Sequence, residues 1–145
     1  MLRQWAMKLS TRSRYGIRIL VELAHYAPDQ PIQVSTISKQ QGISVKYLEL
    51  LIRTLKKAGL IASVRGAKGG HMLAAAPDSI TLGQIVRLFE GQTDLVACVS
   101  SPERCSRIDH CKVHDIWVEA THALFDKLDS ITIADLAETE TAESC

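Results

Sequence analysis

The sequence predicts a mainly α-helical chain with one small β-hairpin, arranged as a winged helix-turn-helix followed by a long dimerisation helix. Three observations predict it. Apolar residues recur at three- and four-residue steps along most of the 145 residues, the period of one helix face. Two helical stretches meet at Gly42, a glycine-containing break of the helix-turn-helix kind. A basic, glycine-rich tip, RGAKGG at 65–70, stands between two short apolar runs, as in a hairpin.

The first helix opens near Ser10, whose hydroxyl suits an N-cap. Tyr15, Ile19, Leu20, Leu23 and Tyr26 make its apolar face, Arg12, Arg14 and Arg18 lie mostly off it, and Pro28 is expected to end it. A short helix follows at about 34–40. The next begins at Ser44 and runs to Ala58, with Gly59 as its stop. Leu48, Leu51, Ile52 and Leu55 form its buried stripe. The hairpin comes next, then a short helix at 81–90 with Leu82, Ile85, Val86 and Phe89 on its packing face and Gly91 as its end.

The long helix reads from Val113. Val113, Trp117, Ala120, Leu124, Leu128 and Ile131 alternate in steps of four and three, the seam of a coiled coil. A long apolar stripe beside a domain that already has a core predicts a homodimer. Thr132 is expected to cap a short last helix. The resulting division is 7–91 for the winged helix, 92–112 for a cysteine loop, 113–136 for the dimerisation helix and last helix, and 137–145 for a flexible acidic tail.

Charge is divided between the halves. Residues 1–76 carry twelve Lys and Arg against three Asp and Glu, a net of +9, while residues 77–145 carry five against thirteen, a net of −8. A basic first half predicts a polyanion partner, double-stranded operator DNA. The second helix of such a motif enters the major groove. That directs Ser44, Lys46, Tyr47 and Glu49 toward base edges, and Arg65 and Lys68 at the wing tip toward the neighbouring groove or backbone. Glu49 is the informative one, because a carboxylate near phosphates is useful when it accepts a hydrogen bond, as from cytosine N4. The glycine tip lacks the GxxxxGK[ST] spacing of a phosphate loop. No hydrolase or transferase constellation is present, so neither an enzyme nor a small-molecule substrate is expected.

No run of 18 apolar residues exists, so no membrane span is expected. The start, MLRQWAMKLSTRSR, lacks the apolar stretch of a secretory signal. Both point to the cytoplasm, where thiols stay reduced. There the segment CVSSPERCSRIDHCKVH, 98–114, reads as metal-binding or redox-active before it reads as disulfide-bonded. Its spacing is Cys98-x6-Cys105-x5-Cys111-x2-His114. Gaps this wide suit a loop wrapped around an inorganic centre better than the Cys-x2-Cys knuckles of most zinc sites. An iron–sulfur cluster, zinc and metal-free redox thiols all remain open on spacing alone. His110 is a rival ligand, and Cys145 reads as a free thiol on the tail.

The segments MKLSTRSRYGIRILVELA, QGISVKYLELLIRTLKKAGLIASVRGAKGG, CKVH and ITIADL, with the three cysteines, resemble the IscR-like iron–sulfur regulators of the Rrf-type winged-helix transcription factors. The resemblance spans about residues 7–136. It implies a [2Fe–2S] cluster on Cys98, Cys105, Cys111 and His114, operator reading by the second helix and the wing, a helix glutamate at Glu49 that tunes operator choice, a wing arginine at Arg65, and control of cluster-assembly genes. The first cysteine gap is six residues, against five in the IscR pattern. Nitric-oxide-responsive members use an N-terminal aspartate as ligand, and Arg14 occupies that position here. Members sensing cysteine metabolism lack the three-cysteine loop. A zinc-stabilised or thiol-redox winged-helix regulator, or a nitric-oxide-responsive repressor, is the alternative.

Overall fold

A computed structural model describes residues 9–91 and 93–140. Seven α-helices and one two-stranded antiparallel hairpin are present among them. Met7 and Lys8, at the head of the expected first domain, and Cys145 lie outside the described residues.

Helix α1 (Thr11–Ala24) is capped by Ser10, whose side chain accepts from the Ser13 N–H. It stops at Ala24, short of Pro28, where the N–H groups of His25 and Tyr26 turn back to the carbonyls of Glu22 and Leu23. Helices α2 (Val34–Gln41) and α3 (Val45–Lys57) meet at Gly42, which takes φ +64°. That left-handed geometry favours glycine and fixes the turn. Ser44 caps α3, and Leu48, Leu51, Ile52 and Leu55 are buried on it, the stripe the sequence predicts.

Strands β1 (Ile61–Val64) and β2 (Gly70–Leu73) pair from Ile61 with Leu73 to Val64 with Gly70. A third backbone segment joins them. Ile32 and His71 exchange both of their N–H···O bonds at 2.8 Å, tying the wing to the chain entering α2. Gly70 permits that approach, because a Cβ there would strike the Ile32 carbonyl.

Helix α4 (Leu82–Glu90) lays Ile85, Val86 and Phe89 into the core. The Phe89 ring occupies the place where a side chain at residue 16 would stand, so only glycine fits at Gly16. The segment read as a cysteine loop contains helix α5 (Ala97–Ser100) and two 3₁₀ turns, Pro102–Arg104 and Ile108–His110.

Helix α6 (His114–Asp129) buries Thr121 and Phe125, which face α4. Arg87 clamps this contact. Its guanidinium lies 4.3 Å from the Phe125 ring centroid and makes paired bonds of 2.7 and 2.8 Å to the Asp129 carboxylate. The coiled-coil seam read from the sequence is a different stripe. Val113 and Trp117 are exposed, and Ala120, Leu124, Leu128 and Ile131 are half-buried. The helix carries two apolar faces, and the chain covers the Phe125 face.

Helix α7 (Ile133–Glu140) extends through 137–140, which the sequence reading assigned to the tail. It packs on α1, with Ile133 fully buried in the same core as Ile19, Leu20 and Ile85. Its start is held by a reciprocal cap. The Thr132 N–H donates to the Asp135 carboxylate, and the Asp135 N–H donates to the Thr132 hydroxyl. Helix α7 is thus part of the winged-helix body, linked to α4 through the Thr81–Thr132 bridge.

Candidate DNA-reading face and cysteine loop

The burial of Leu48, Leu51, Ile52 and Leu55 decides what α3 shows to solvent. Side chains three and four apart share a helix face, so Lys46, Glu49, Leu50 and Arg53 point outward together. With Ser44 and Tyr47 they line one concavity. Of the residues predicted to face bases, Lys46 and Glu49 are exposed. The Ser44 hydroxyl is occupied in part by capping, at 3.3 Å from the Tyr47 N–H. Tyr47 is half-buried. Its ring stacks edge-on with Tyr15 at 6.0 Å, and its hydroxyl lies 3.3 Å from that of Thr11. It positions α3 on α1 while its edge reaches the concavity.

Leu50 and Arg53 were missed by sequence reasoning. The signal that finds them is the apolar stripe itself, because fixing the inward face fixes the outward one.

Arg65 and Lys68 are exposed at the hairpin tip, as expected. The Gln33 side chain reaches the Ala67 carbonyl at 3.5 Å, joining the tip to the start of α2. His71 stands between wing and reading helix. Burial pushes its pKa below the ordinary imidazole value, the Lys56 charge adds to that, and Glu49 partly opposes it. Ser63 Oγ lies 2.9 Å from its Nδ1.

The α1 N-terminus ties this face to the end of α4, the helix that precedes the cysteine segment. Glu90, the last residue of α4, accepts from the Ser10 N–H and hydroxyl, each at 2.8 Å, and from the hydroxyl of buried Ser13. Burial alone would raise the Glu90 pKa. The three hydrogen bonds and the Arg12 charge outweigh it and hold the carboxyl below the usual range.

Cys98, Cys105 and Cys111 are unpaired, half-buried thiols. Cys98 lies on α5, Cys105 ends one 3₁₀ turn and Cys111 ends the other. His114 is the first residue of α6, and its Nε2 lies 3.2 Å from the Cys98 carbonyl oxygen. An N–H donated there leaves the ring lone pair on Nδ1, the arrangement a ligating imidazole requires. The donor set of three thiols and one imidazole therefore fits an iron–sulfur or zinc centre in chemistry. It is open in geometry, because no three His, Cys, Asp or Glu side chains among the described residues stand close enough to hold a metal ion. His110 is exposed on the second 3₁₀ turn.

Residues 9–139 match the Rrf2 family, described as iron-dependent transcriptional regulators. The chain belongs to the Rrf2 family. It is 45% identical over 130 residues to protein rrf2 of Nitratidesulfovibrio vulgaris, covering 90% of this chain and 87% of that one. The solved structure of CymR, the global cysteine regulator of B. subtilis, superposes with TM-score 0.76 at 36% identity, covering 92% and 98% of the two chains. The T. potens IscR structure gives TM-score 0.72 at 35% identity, covering 97% and 93%.

Membership of the Rrf2 family makes this chain a DNA-binding transcriptional regulator with a winged-helix fold, and not an enzyme. IscR and CymR resemble it to nearly the same degree, so overall similarity does not choose the signal it senses. No helix among the described residues is long and apolar enough to cross a membrane.

Proposed function

We propose that this chain is a cytoplasmic, homodimeric Rrf2-family regulator whose binding to double-stranded operator DNA is set by a [2Fe–2S] cluster on Cys98, Cys105, Cys111 and His114, and that its targets include cluster-assembly genes. The observation that carries the reading is the donor set. Three unpaired thiols and one imidazole, its Nε2 already turned to the Cys98 carbonyl, occupy one segment between α4 and α6. When bound, such a cluster supplies one-electron redox chemistry and a centre that can be gained or lost, and a nitrogen ligand raises its potential relative to four thiolates.

The remaining work belongs to the chain. Lys46, Glu49, Arg65 and Lys68, with Ser44 and the edge of Tyr47, contact the duplex. Arg65 and Lys68 neutralise phosphates, and Glu49 discriminates among bases by what it accepts. Glu90 ties the end nearest the cysteine segment to the first turn of α1, and Thr11 and Tyr15 of that helix touch Tyr47 on α3. This contact series supports a route by which cluster binding at Cys98, Cys105, Cys111 and His114 alters the pose of the reading helix. The partly exposed stripe of α6, with Val113 49% and Trp117 39% exposed, supports the homodimer.

The test compares operator affinity of anaerobically purified protein before and after removal of iron by a chelator. A change in affinity or in operator choice is expected. Unchanged binding to every operator would refute cluster control. A second reading, a zinc-stabilised or thiol-redox regulator, draws on the open geometry of the thiols among the described residues. Under it the iron-free protein retains full regulation, by zinc or by reversible thiol oxidation.

A further inference from the structure

We propose that Leu50 reads a thymine methyl group in each half-site of the operator. The proposal rests on the reading of α3 as the base-contacting helix. Leu50 is 48% exposed at the middle of α3. It stands one turn beyond Lys46 and one turn before Arg53, beside Glu49, in the concavity those side chains line. Among the six lining residues it alone presents a purely hydrocarbon side chain. Lys46 and Arg53, one turn to either side, are cationic and suit a polyanion, while Glu49 beside it is an acceptor for a base edge.

A leucine in that position forms no hydrogen bond to a base edge. It does complement the one apolar feature of the major groove, the thymine C5 methyl. Lys46 and Arg53 bracket it with positive charge that suits the phosphates on either side. Leu50 is no part of the core, which takes Leu48, Leu51, Ile52 and Leu55 from the same helix, so its exposure in the free protein is relieved only by a partner. Burial of one methyl-sized group predicts about a fourfold contribution to affinity per half-site.

The test begins with duplexes selected from a random pool by the full-length protein. Each thymine of the selected operator is then replaced by deoxyuridine, which removes the methyl and keeps every hydrogen-bonding group. Wild type is expected to lose about fourfold at one thymine per half-site. Leu50→Ala should bind the thymine operator more weakly and lose all discrimination at that position, while Leu50→Met should retain it. Circular dichroism checks that the variants fold, as an exposed position predicts. If Leu50→Ala shows the same uracil penalty as wild type, the penalty comes from DNA shape and the proposal fails. It also fails if no thymine in the selected operator is sensitive. Failure to select any duplex at all, or binding unaffected by Lys46→Ala and Arg53→Ala together, would overturn the reading of α3 itself and the proposal with it.

Discussion

Glu90 accepts two hydrogen bonds from Ser10, one from its backbone N–H and one from its hydroxyl, both at 2.8 Å. The two residues are 80 positions apart in sequence, yet this contact joins the end of α4 to the start of α1. Ser13, fully buried, donates to the same carboxylate. Glu90→Ala leaves these donors without an acceptor. A loss of about 1–3 kcal/mol is expected in urea unfolding. Operator affinity should fall with it, because the same turn of α1 supports Tyr47.

The same carboxylate sets an acid limb. Its folded pKa lies below the ordinary 4.5, so its stabilisation is complete above that value and is lost as pH falls through the folded pKa. Asp129 follows the same sign, held low first by its hydrogen bond from Arg87. Stability measured from pH 6 downward should therefore decline below about 4.5. Glu90→Gln should start less stable and decline less over that interval. Parallel curves for the two proteins would contradict this role for Glu90.

Positive charge on α3 and the wing predicts salt-dependent binding. Each phosphate neutralised adds a slope of about −0.9 to log affinity against log salt. Arg65→Ala and Lys68→Ala should each shorten the salt slope by about one unit without changing sequence preference. Fluorescence anisotropy over a salt series measures both.

The partly exposed stripe of α6 predicts the assembly state. Leu124 is half-buried on the stripe beside the Phe125 face. Leu124→Asp places two unpaired carboxylates in an apolar contact, a costly arrangement. Sedimentation should show monomers for the variant and dimers for wild type at micromolar concentration. A monomeric wild type would refute the dimer.

Much of the fold is legible because its signals are local. Ser44 caps α3 and Gly42 and Gly59 take positive φ, as their residue types predict. The covered face of α6 was not legible. Periodicity registers two apolar stripes on one helix and cannot say which meets the chain's own core, so the Val113 to Ile131 seam was seen and the Phe125 face was not. The docking of α7 depends on Ile133 meeting residues more than 100 positions away, and no local pattern encodes that. The reading face was partly legible. Lys46 and Glu49 stand out by charge, whereas Leu50 looks like one more core leucine until its phase against Leu48 and Leu51 is fixed. Residues 98–114 were legible as a donor set, because ligand chemistry follows residue type, while their mutual placement depends on turns with little periodicity.

The measurement that bears most directly on the account is the visible spectrum and iron content of the anaerobically purified protein, beside the single variants Cys98→Ala, Cys105→Ala, Cys111→Ala and His114→Ala. The wild type should be red-brown, with two irons and two sulfides per chain, the composition of a [2Fe–2S] cluster. Each cysteine variant should be bleached, and His114→Ala should retain partial colour that decays faster in air. A colourless wild type carrying one zinc per chain, or full colour and iron in all three cysteine variants, would contradict the assignment.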